Sequence, residues 1–268
     1  MKFITGAVVL AGLTATGAMA AEKSWTVEGA ALSISSPCAK TVSIESSDEA
    51  GKVEVTATGR QKEIDRLEIS GGAIANIGIR QKSCPSNFHF NFGFLKWGIS
   101  TDSTLELVVR VPHGAAIEIK EANSADYMID DVDGALSADL SGSGTVAAES
   151  VKGKLDGHLS GSGDLSVARA EVGASDFAIS GSGDVSVDAG TFASVTARLS
   201  GSGSLSLGEG KIGALTVKSS GSSDVDIDAS VGDADLAVSG SGDVRLREAT
   251  GQVRKSSHGN GSITIGEK

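Results

Sequence analysis

The feature that most constrains this chain is a short segment, Ser-Gly-Ser-Gly or a close variant, that recurs through its C-terminal half. The apolar or serine residue before each copy stands at positions 140, 159, 179, 199, 219, 238 and 257, so the spacings are 19, 20, 20, 20, 19 and 19 residues. Residues 121–126 occupy the same register one step upstream without the glycines. A period of about 20–50 residues is typical of solenoids, in which each repeat stacks on its neighbours.

Between the glycine-rich segments, apolar and polar residues alternate at period two. Val185 and Val187 flank Ser186, and Leu205 and Leu207 flank Ser206. This alternation predicts strands with one buried face, because an amphipathic helix needs apolar spacings of three and four. We therefore predict an all-β fold, a parallel β-helix of about 19–20 residues per turn. Parallel strands joined in one sheet favour a right-handed connection, so we expect a right-handed helix.

The glycine-rich segments are predicted to be the corners of the turns. Glycine suits a corner because it tolerates positive φ and allows neighbouring turns to approach closely. The serine hydroxyls can bond to corner backbone or to one another along the rod. Turn chemistry alone accounts for Ser-Gly-Ser-Gly, so we favour this structural interpretation over a binding motif.

Three regions are predicted along the chain. Residues 1–20 have the parts of a secretory signal peptide: Lys2, a short apolar run over residues 4–13, and small residues before Ala21. Residues 21–100 lack the repeat and read as short strands forming an N-terminal β cap that merges into the solenoid, since an open end invites aggregation. Residues 101–268 are the β-helix repeats. We expect an exported protein, periplasmic or at the cell surface or secreted, with no integral membrane segment in the mature chain.

Composition and net charge limit the classes of molecule that this chain is expected to bind. The chain has 36 glycines, yet 40% of its residues are hydrophobic and regularly placed, which argues against disorder. Its formal net charge is −11, with no basic cluster in the sequence. Such a chain is a poor ligand for nucleic acid, so we expect no nucleic-acid partner and consider a glycan or an envelope protein instead.

Two groups of residues near the N-terminus are singled out. Cys38 and Cys84 are the chain's two cysteines, and an exported protein favours a disulfide between them over two free thiols. Four phenylalanines recur at period two, namely Phe88, Phe90, Phe92 and Phe94. They are interpreted either as a hydrophobic lid over the rod end or as an exposed strip for a glycan, lipid or partner.

One column of acidic residues, interrupted at Thr145 and Ser204, follows the corners at a constant phase: Asp126, Asp164, Asp184, Asp224 and Asp243. Stacked carboxylates repel unless they are screened or bridged by cations. We favour solvated turn aspartates over calcium ligands, because calcium-binding solenoids have a nine-residue repeat. The four histidines are scattered and no Gly-x-Ser-x-Gly elbow occurs. We therefore predict no catalytic residues, no metal site and no cofactor.

The repeat Leu-Ser-Gly-Ser-Gly-Asp followed by alternating apolar residues, together with the Leu-Val-Val-Arg-Val-Pro-His-Gly segment at residues 107–114, resembles the head GIN domain family (putative auto-transporter adhesin). That resemblance implies a right-handed β-helix, an extracytoplasmic location and an adhesion-type role.

The function we predict is an exported, non-enzymatic β-helix that serves as a structural or adhesion-like binding module of the cell envelope. The alternative is a polysaccharide-processing β-helix enzyme, a lyase or hydrolase. That alternative requires carboxylates and bases that converge in one groove.

Overall fold

A computed structural model describes residues 20–80, Cys84, the backbone of residues 89–92 and 95–98, and residues 103–266. The predicted signal peptide lies outside this part of the chain, apart from Ala20. The N-terminal elements are β1 (Ala21–Glu28), β2 (Ala31–Ser35), β3 (Thr41–Ser47), β4 (Lys52–Gly59), α1 (Gln61–Ile64), β5 (Leu67–Ser70), β6 (Ile74–Ile79), β7 (His89–Phe92) and β8 (Leu95–Gly98).

The repeats follow as further strands, and the prediction of an all-β solenoid is confirmed. They are β9 (Glu106–Pro112), β10 (Ala116–Glu121), β11 (Asp126–Val132), β12 (Leu136–Leu140), β13 (Val146–Val151), β14 (Leu155–Leu159), β15 (Leu165–Ile179), β16 (Val185–Leu199), β17 (Leu205–Ser219), β18 (Val225–Val238), β19 (Val244–Ala249), β20 (Val253–Ser257) and β21 (Ile263–Ile265).

Each turn contributes one strand before the corner and one after it. The strands before the corner stack in parallel through β10, β12, β14 and the second halves of β15 to β18, ending at β20. The strands after the corner stack through β11, β13, the first halves of β15 to β18, β19 and β21. Equivalent residues of neighbouring turns therefore form straight columns, as Leu165, Val185 and Leu205 do.

The first strands of the chain also belong to this stack. β2 lies between β6 and β10, and β3 lies between β9 and β11, in every case with parallel pairing. The turn formed by residues 31–47 is thus inserted between two turns that come later in the sequence. The boundary predicted at residue 100 consequently does not coincide with the start of the parallel stack.

Antiparallel strands continue the stack beyond β6 and β9. β4 pairs with β9, β1 pairs with β4, and β5 pairs with β6. A separate antiparallel hairpin is formed by β7 and β8. That these N-terminal strands act as a protective cap stays a prediction.

The core consists of the inward-facing residues of every turn. In the turn of β16, for example, Val185, Val187, Val195, Ala197 and Leu199 are all buried. Each valine or leucine side chain removed from water contributes about 1.5–3 kcal/mol, and stacking joins the contributions of all turns into one core.

The corner glycines are required by close approach of the turns. Their φ angles are not positive at Gly161, Gly181 or Gly183. The backbone N–H of Ser182 donates to the carbonyl oxygen of Gly161 at 2.9 Å, and a Cβ on Gly181 would lie 1.9 Å from that same oxygen. The hydrogen bond that joins two turns at the corner therefore leaves no space for a side chain. Of the two reasons considered from the sequence, close approach is the one that applies here.

Candidate functional site

A long groove runs parallel to the rod beside the corners, and we call it the corner groove. One wall is the last outward-facing residue before each corner: Lys120, Asp139, His158, Ala178, Arg198 and Lys218. The other wall is the first serine of each corner: Ser141, Ser160, Ser180, Ser200, Ser220 and Ser239. Two cavities of about 620 and 440 Å³ form the groove, and they share Ala178 and Ser180. The groove is therefore continuous from one cavity to the next.

The groove follows from the repeat itself. The residue between the two walls of each turn, such as Leu140, Leu159 or Ile179, faces inward, so the surface falls between the walls. The wall that begins at Lys120 continues beyond Lys218 through Ala237 to Ser256. Seven steps between turns separate Lys120 from Ser256, and strands stack about 4.8 Å apart, so this wall is about 34 Å long.

The serine wall presents a regular row of hydroxyl groups. The backbone N–H groups of Ser180 and Ser200 bond to the carbonyl groups of Leu159 and Ile179 in the previous turn, at 2.8 Å in both cases. Both serine side chains are exposed, and neither hydroxyl has a hydrogen-bond partner among the described residues. Ser141, Ser220 and Ser239 differ, because their hydroxyls donate to backbone carbonyls of the previous turn at 3.5, 3.4 and 3.5 Å. The backbone is thus fixed by the ladder while hydroxyl groups remain available to a ligand.

In the N-terminal half of the groove the charged residues are paired. Lys120 Nζ lies 2.7 Å from a carboxylate oxygen of Glu118, and this hydrogen bond lowers the pKa of Glu118 and raises that of Lys120. His158 Nδ1 lies 2.8 Å from Asp139 Oδ1 in the neighbouring turn. Both members of the Asp139–His158 pair are substantially exposed.

In the C-terminal half the wall carries cations. Arg198 Nη1 donates to both carboxylate oxygens of Asp176, at 2.9 and 2.8 Å. Lys218 occupies the equivalent position in the next turn, is exposed, and makes no salt bridge with any described residue. His258 lies at the end of the serine wall, where its Nδ1 is 3.3 Å from the Ser256 hydroxyl.

The Asp column lies outside the corner groove and bonds to backbone. Asp164 Oδ1 accepts the backbone N–H of Asp184 at 2.9 Å, and Asp224 Oδ1 accepts that of Asp243 at 2.8 Å. Asp184 accepts both the backbone N–H and the hydroxyl of Ser204, at 2.7 and 2.8 Å. Each aspartate therefore accepts a hydrogen bond from the backbone N–H of the equivalent residue in the next turn, at the end of the corner. The sequence predicts solvated carboxylates here, and it gives no sign of the side-chain bond to the next turn.

Asp243, the last member of the column, has a lowered pKa because of such hydrogen bonds. The hydroxyl and backbone N–H of Ser262 donate to its Oδ1 at 2.8 and 3.0 Å. These two hydrogen bonds, with a smaller contribution from the nearby Arg245, lower the pKa of Asp243. Within the described residues, no cluster of three or more His, Cys, Asp or Glu side chains is arranged to hold a metal ion. A ligand-binding role of the column stays a prediction.

The other predicted residues fall into two groups. Cys38 and Cys84 form a disulfide with a Cα–Cα distance of 5.5 Å, which confirms that pairing. The side chains of Phe88, Phe90, Phe92 and Phe94 lie outside the described residues, although the backbone of Phe90 and Phe92 belongs to β7. Their interpretation as a lid or as a binding strip stays open.

The sequence did not predict the corner groove. Corner chemistry accounts for its serines without any groove, and the residues two positions before them carry no shared motif. An alignment of the repeats would place Asp139 beside His158, and Arg198 beside Lys218, because equivalent residues of adjacent turns are neighbours in a parallel stack.

Taken with the fold, the repeat defines a class of glycine-cornered parallel β-solenoids. Residues 30–267 match the family Toastrack DUF4097, and the chain belongs to that family. A search of curated proteins found no match. In the part of the chain that the structure describes, no helix is both long enough and apolar enough to span a membrane.

Solved structures share the fold at low sequence identity. A "putative lipid binding protein" from Parabacteroides distasonis superposes with a TM-score of 0.64 at 17% identity, covering 92% of this chain and 97% of that one. A "putative adhesin" from Parabacteroides merdae gives 0.61 at 12% identity, covering 92% and 96%. Another "putative adhesin", from Bacteroides fragilis, gives 0.57 at 14% identity, covering 93% and 98%. These likenesses show the fold alone.

Proposed function

We propose that this chain is an exported, non-enzymatic binding module of the cell envelope that holds an extended glycan along its corner groove. The observation that carries the proposal is the continuous row of exposed serine hydroxyls beside a groove about 34 Å long. A groove that places a serine hydroxyl at six successive corners suits a polymer that repeats its own hydroxyl groups. The names of the structural neighbours, putative adhesin and putative lipid binding protein, describe those proteins, and the first agrees with this proposal.

The export part of the proposal rests on the N-terminal sequence and on the disulfide. Disulfides persist in oxidising compartments, which agrees with export. N-terminal sequencing of the protein from fractionated cells should give Ala21 as the first residue. Protease treatment of intact cells should then degrade the protein if it acts as an adhesin at the surface. Full protection inside the periplasm would contradict an adhesin role. The resemblance to the head GIN domain family also stays a prediction.

The binding part is tested by blocking the groove. Ser180 lines both cavities, so Ser180→Trp should fill the groove at its middle and abolish binding of a long glycan in calorimetry. Ser182 is the matched control, because it is the second serine of the same corner, is exposed, and lines neither cavity. Ser182→Trp should bind like the parent protein. Equal loss in both variants, or no loss in either, would contradict binding in the corner groove.

One observation favours the alternative function, a polysaccharide-processing enzyme. Asp139 and His158 meet inside the groove at 2.8 Å, and Lys120 precedes them in the same column. An acid and a base in contact are the elements that such chemistry requires. The exposure of both side chains argues for a solvated surface contact instead. To decide between the enzyme and the binding module, the protein is incubated with polysaccharides, and new reducing ends or unsaturated ends are measured. Cleavage that disappears in His158→Asn would establish the enzyme.

A further inference from the structure

The C-terminal half of the corner groove differs in charge from the rest of the molecule. The chain carries a formal net charge of −11. The cavity of about 440 Å³ is nevertheless lined by Arg198, Lys218 and His258, and no aspartate or glutamate is among its described lining residues. A cationic groove on an acidic protein is not explained by overall composition.

Arg198 and Lys218 are placed to act on the same ligand. They are direct neighbours in adjacent turns, so their backbones lie about 4.8 Å apart. Arg198 uses Nη1 on Asp176, which leaves its remaining N–H groups for other acceptors, since guanidinium has five donors. The ammonium group of Lys218 has no carboxylate partner among the described residues. Serine hydroxyls line the opposite wall of this half.

The floor of this half also departs from the repeat. The residue before each corner faces inward and is apolar at Ile179, Leu199 and Val238, but in the turn of Lys218 it is Ser219. Ser219 is buried, lines the same cavity, and its hydroxyl donates to the Ser223 carbonyl at 3.3 Å. Because Ser219 faces inward, this departure from the repeat puts a polar group beneath the groove next to Lys218.

We propose that this half of the groove binds the carboxylate groups of an acidic polysaccharide, with Lys218 and Arg198 as the anion-binding residues. The inference rests on the proposed function and makes it more specific, since the proposed function leaves the charge of the glycan open. Ammonium and guanidinium groups bind carboxylates by charge-assisted hydrogen bonds, and neighbouring hydroxyls bind the sugar hydroxyls between them. An extended chain along the groove places successive acidic units beside successive turns.

The test compares polygalacturonate with a neutral glucan of similar length, using the full mature protein in calorimetry. Polygalacturonate should bind more tightly, and its affinity should fall as salt is raised. Lys218→Gln should weaken binding by about tenfold or more, as expected for one charged hydrogen bond. Lys211→Gln is the matched control, because Lys211 is an exposed lysine of the same strand that does not line the groove. Its affinity should stay within about twofold of the parent, since surface charges act weakly at a distance.

The role of Arg198 is tested by a second pair of variants. Arg198→Gln should weaken binding, whereas Arg169→Gln should not, because Arg169 is exposed, pairs with Glu149 at 3.6 Å and lies outside the groove. Unchanged circular dichroism and melting of Lys218→Gln exclude loss of fold as the cause of weaker binding.

The outcomes separate this inference from the proposed function. Equal affinity of the parent and Lys218→Gln for polygalacturonate would overturn the inference. If the neutral glucan binds equally well and Ser180→Trp abolishes its binding, the groove function stands and the acidic specificity is wrong. Vesicles containing phosphatidylglycerol serve as a third probe. Binding to them that depends on Lys218, with no binding of polygalacturonate, would identify an anionic lipid and overturn the glycan assignment.

Discussion

The hydroxyl of Tyr127 donates a hydrogen bond of 2.7 Å to the carboxylate of Glu121 inside the core of the rod. Both side chains are almost fully buried. They occupy the columns that continue as Leu140 and Val146 in the next turn, so an apolar pair is replaced here by a polar one. Glu121 also accepts the backbone N–H of Asn123 at 2.6 Å, in a corner that lacks glycine. The carboxylate thus joins this glycine-free corner to the strand that follows it.

Removing the tyrosine hydroxyl should destabilise the protein. Tyr127→Phe leaves one oxygen of a buried carboxylate without its donor, which costs about 1–3 kcal/mol. Denaturant unfolding should give that loss in the free energy of unfolding. The double variant Glu121→Leu with Tyr127→Val copies the next turn and should recover most of the loss, because no buried charge remains. A double variant less stable than Tyr127→Phe would contradict this account.

The same pair makes stability depend on pH in the alkaline range. Burial, followed by the charge of Glu121 and its hydrogen bond, raises the pKa of Tyr127 well above its usual value. A raised pKa in the folded state gives stability that is complete below the unfolded pKa of about 10 and is lost as pH rises further. Tyr127 is the chain's single tyrosine, so its ionisation can be followed by absorbance. It should ionise only together with unfolding, whereas ionisation near pH 10 in folded protein would refute the buried hydrogen bond.

The corner glycines should tolerate no side chain. In Gly183→Ala the new Cβ would lie 1.9 Å from the carbonyl oxygen of Gly163, so two turns must separate. We expect a loss of about 3 kcal/mol or more. Gly173 belongs to the same turn, and a Cβ at that position would meet no atom within 4 Å, so Gly173→Ala should leave the melting temperature unchanged or slightly raised. Similar effects of the two substitutions would show that close approach is not the reason for the corner glycines.

The Asp column should contribute to stability without calcium. Asp184→Ala removes the acceptor of two hydrogen bonds from Ser204 and should cost about 1–2 kcal/mol. Asp184→Asn keeps a carbonyl oxygen and should cost less. Asp188 is the control, since it is exposed in the same turn and makes no described side-chain bond, so Asp188→Ala should be close to neutral. Melting in excess calcium and in chelator should give the same midpoint; a calcium-dependent rise that Asp184→Ala abolishes would establish a metal role.

Some features of the fold could be predicted from the sequence, and others could not. The columns of Leu165, Val185 and Leu205 follow from the 20-residue period, because a parallel stack places equivalent residues side by side. The insertion of β2 and β3 between later turns could not be predicted, since it depends on long-range pairing that carries no local signal. The cationic half of the groove was also missed, because Arg198 and Lys218 are 20 residues apart and meet only when the turns are stacked.

The carboxylate of Glu63 should make the stability of the protein depend on pH in the acidic range. Burial would raise the pKa of Glu63, but hydrogen bonds from Arg60 and Thr104 outweigh burial and lower it to about 2. Its carboxylate accepts the hydroxyl and the backbone N–H of Thr104 at 2.8 and 3.3 Å, which ties α1 to the segment before β9. A lowered pKa gives stability that is present above the unfolded value of about 4.3 and is lost as pH falls towards 2.

Glu63→Gln should therefore reduce the free energy of unfolding at neutral pH by about 2 kcal/mol. The difference from the parent should shrink between about pH 4 and pH 2, because the parent then loses the same interaction. Glu68→Gln is the matched control, since Glu68 is 57% exposed and pairs only with an exposed arginine, Arg80, among the described residues. Its effect should be below about 1 kcal/mol at every pH. A difference between Glu63→Gln and the parent that stays constant down to pH 2 would show that the hydrogen bonds of Glu63 do not depend on its charge, because protonation would then leave them intact.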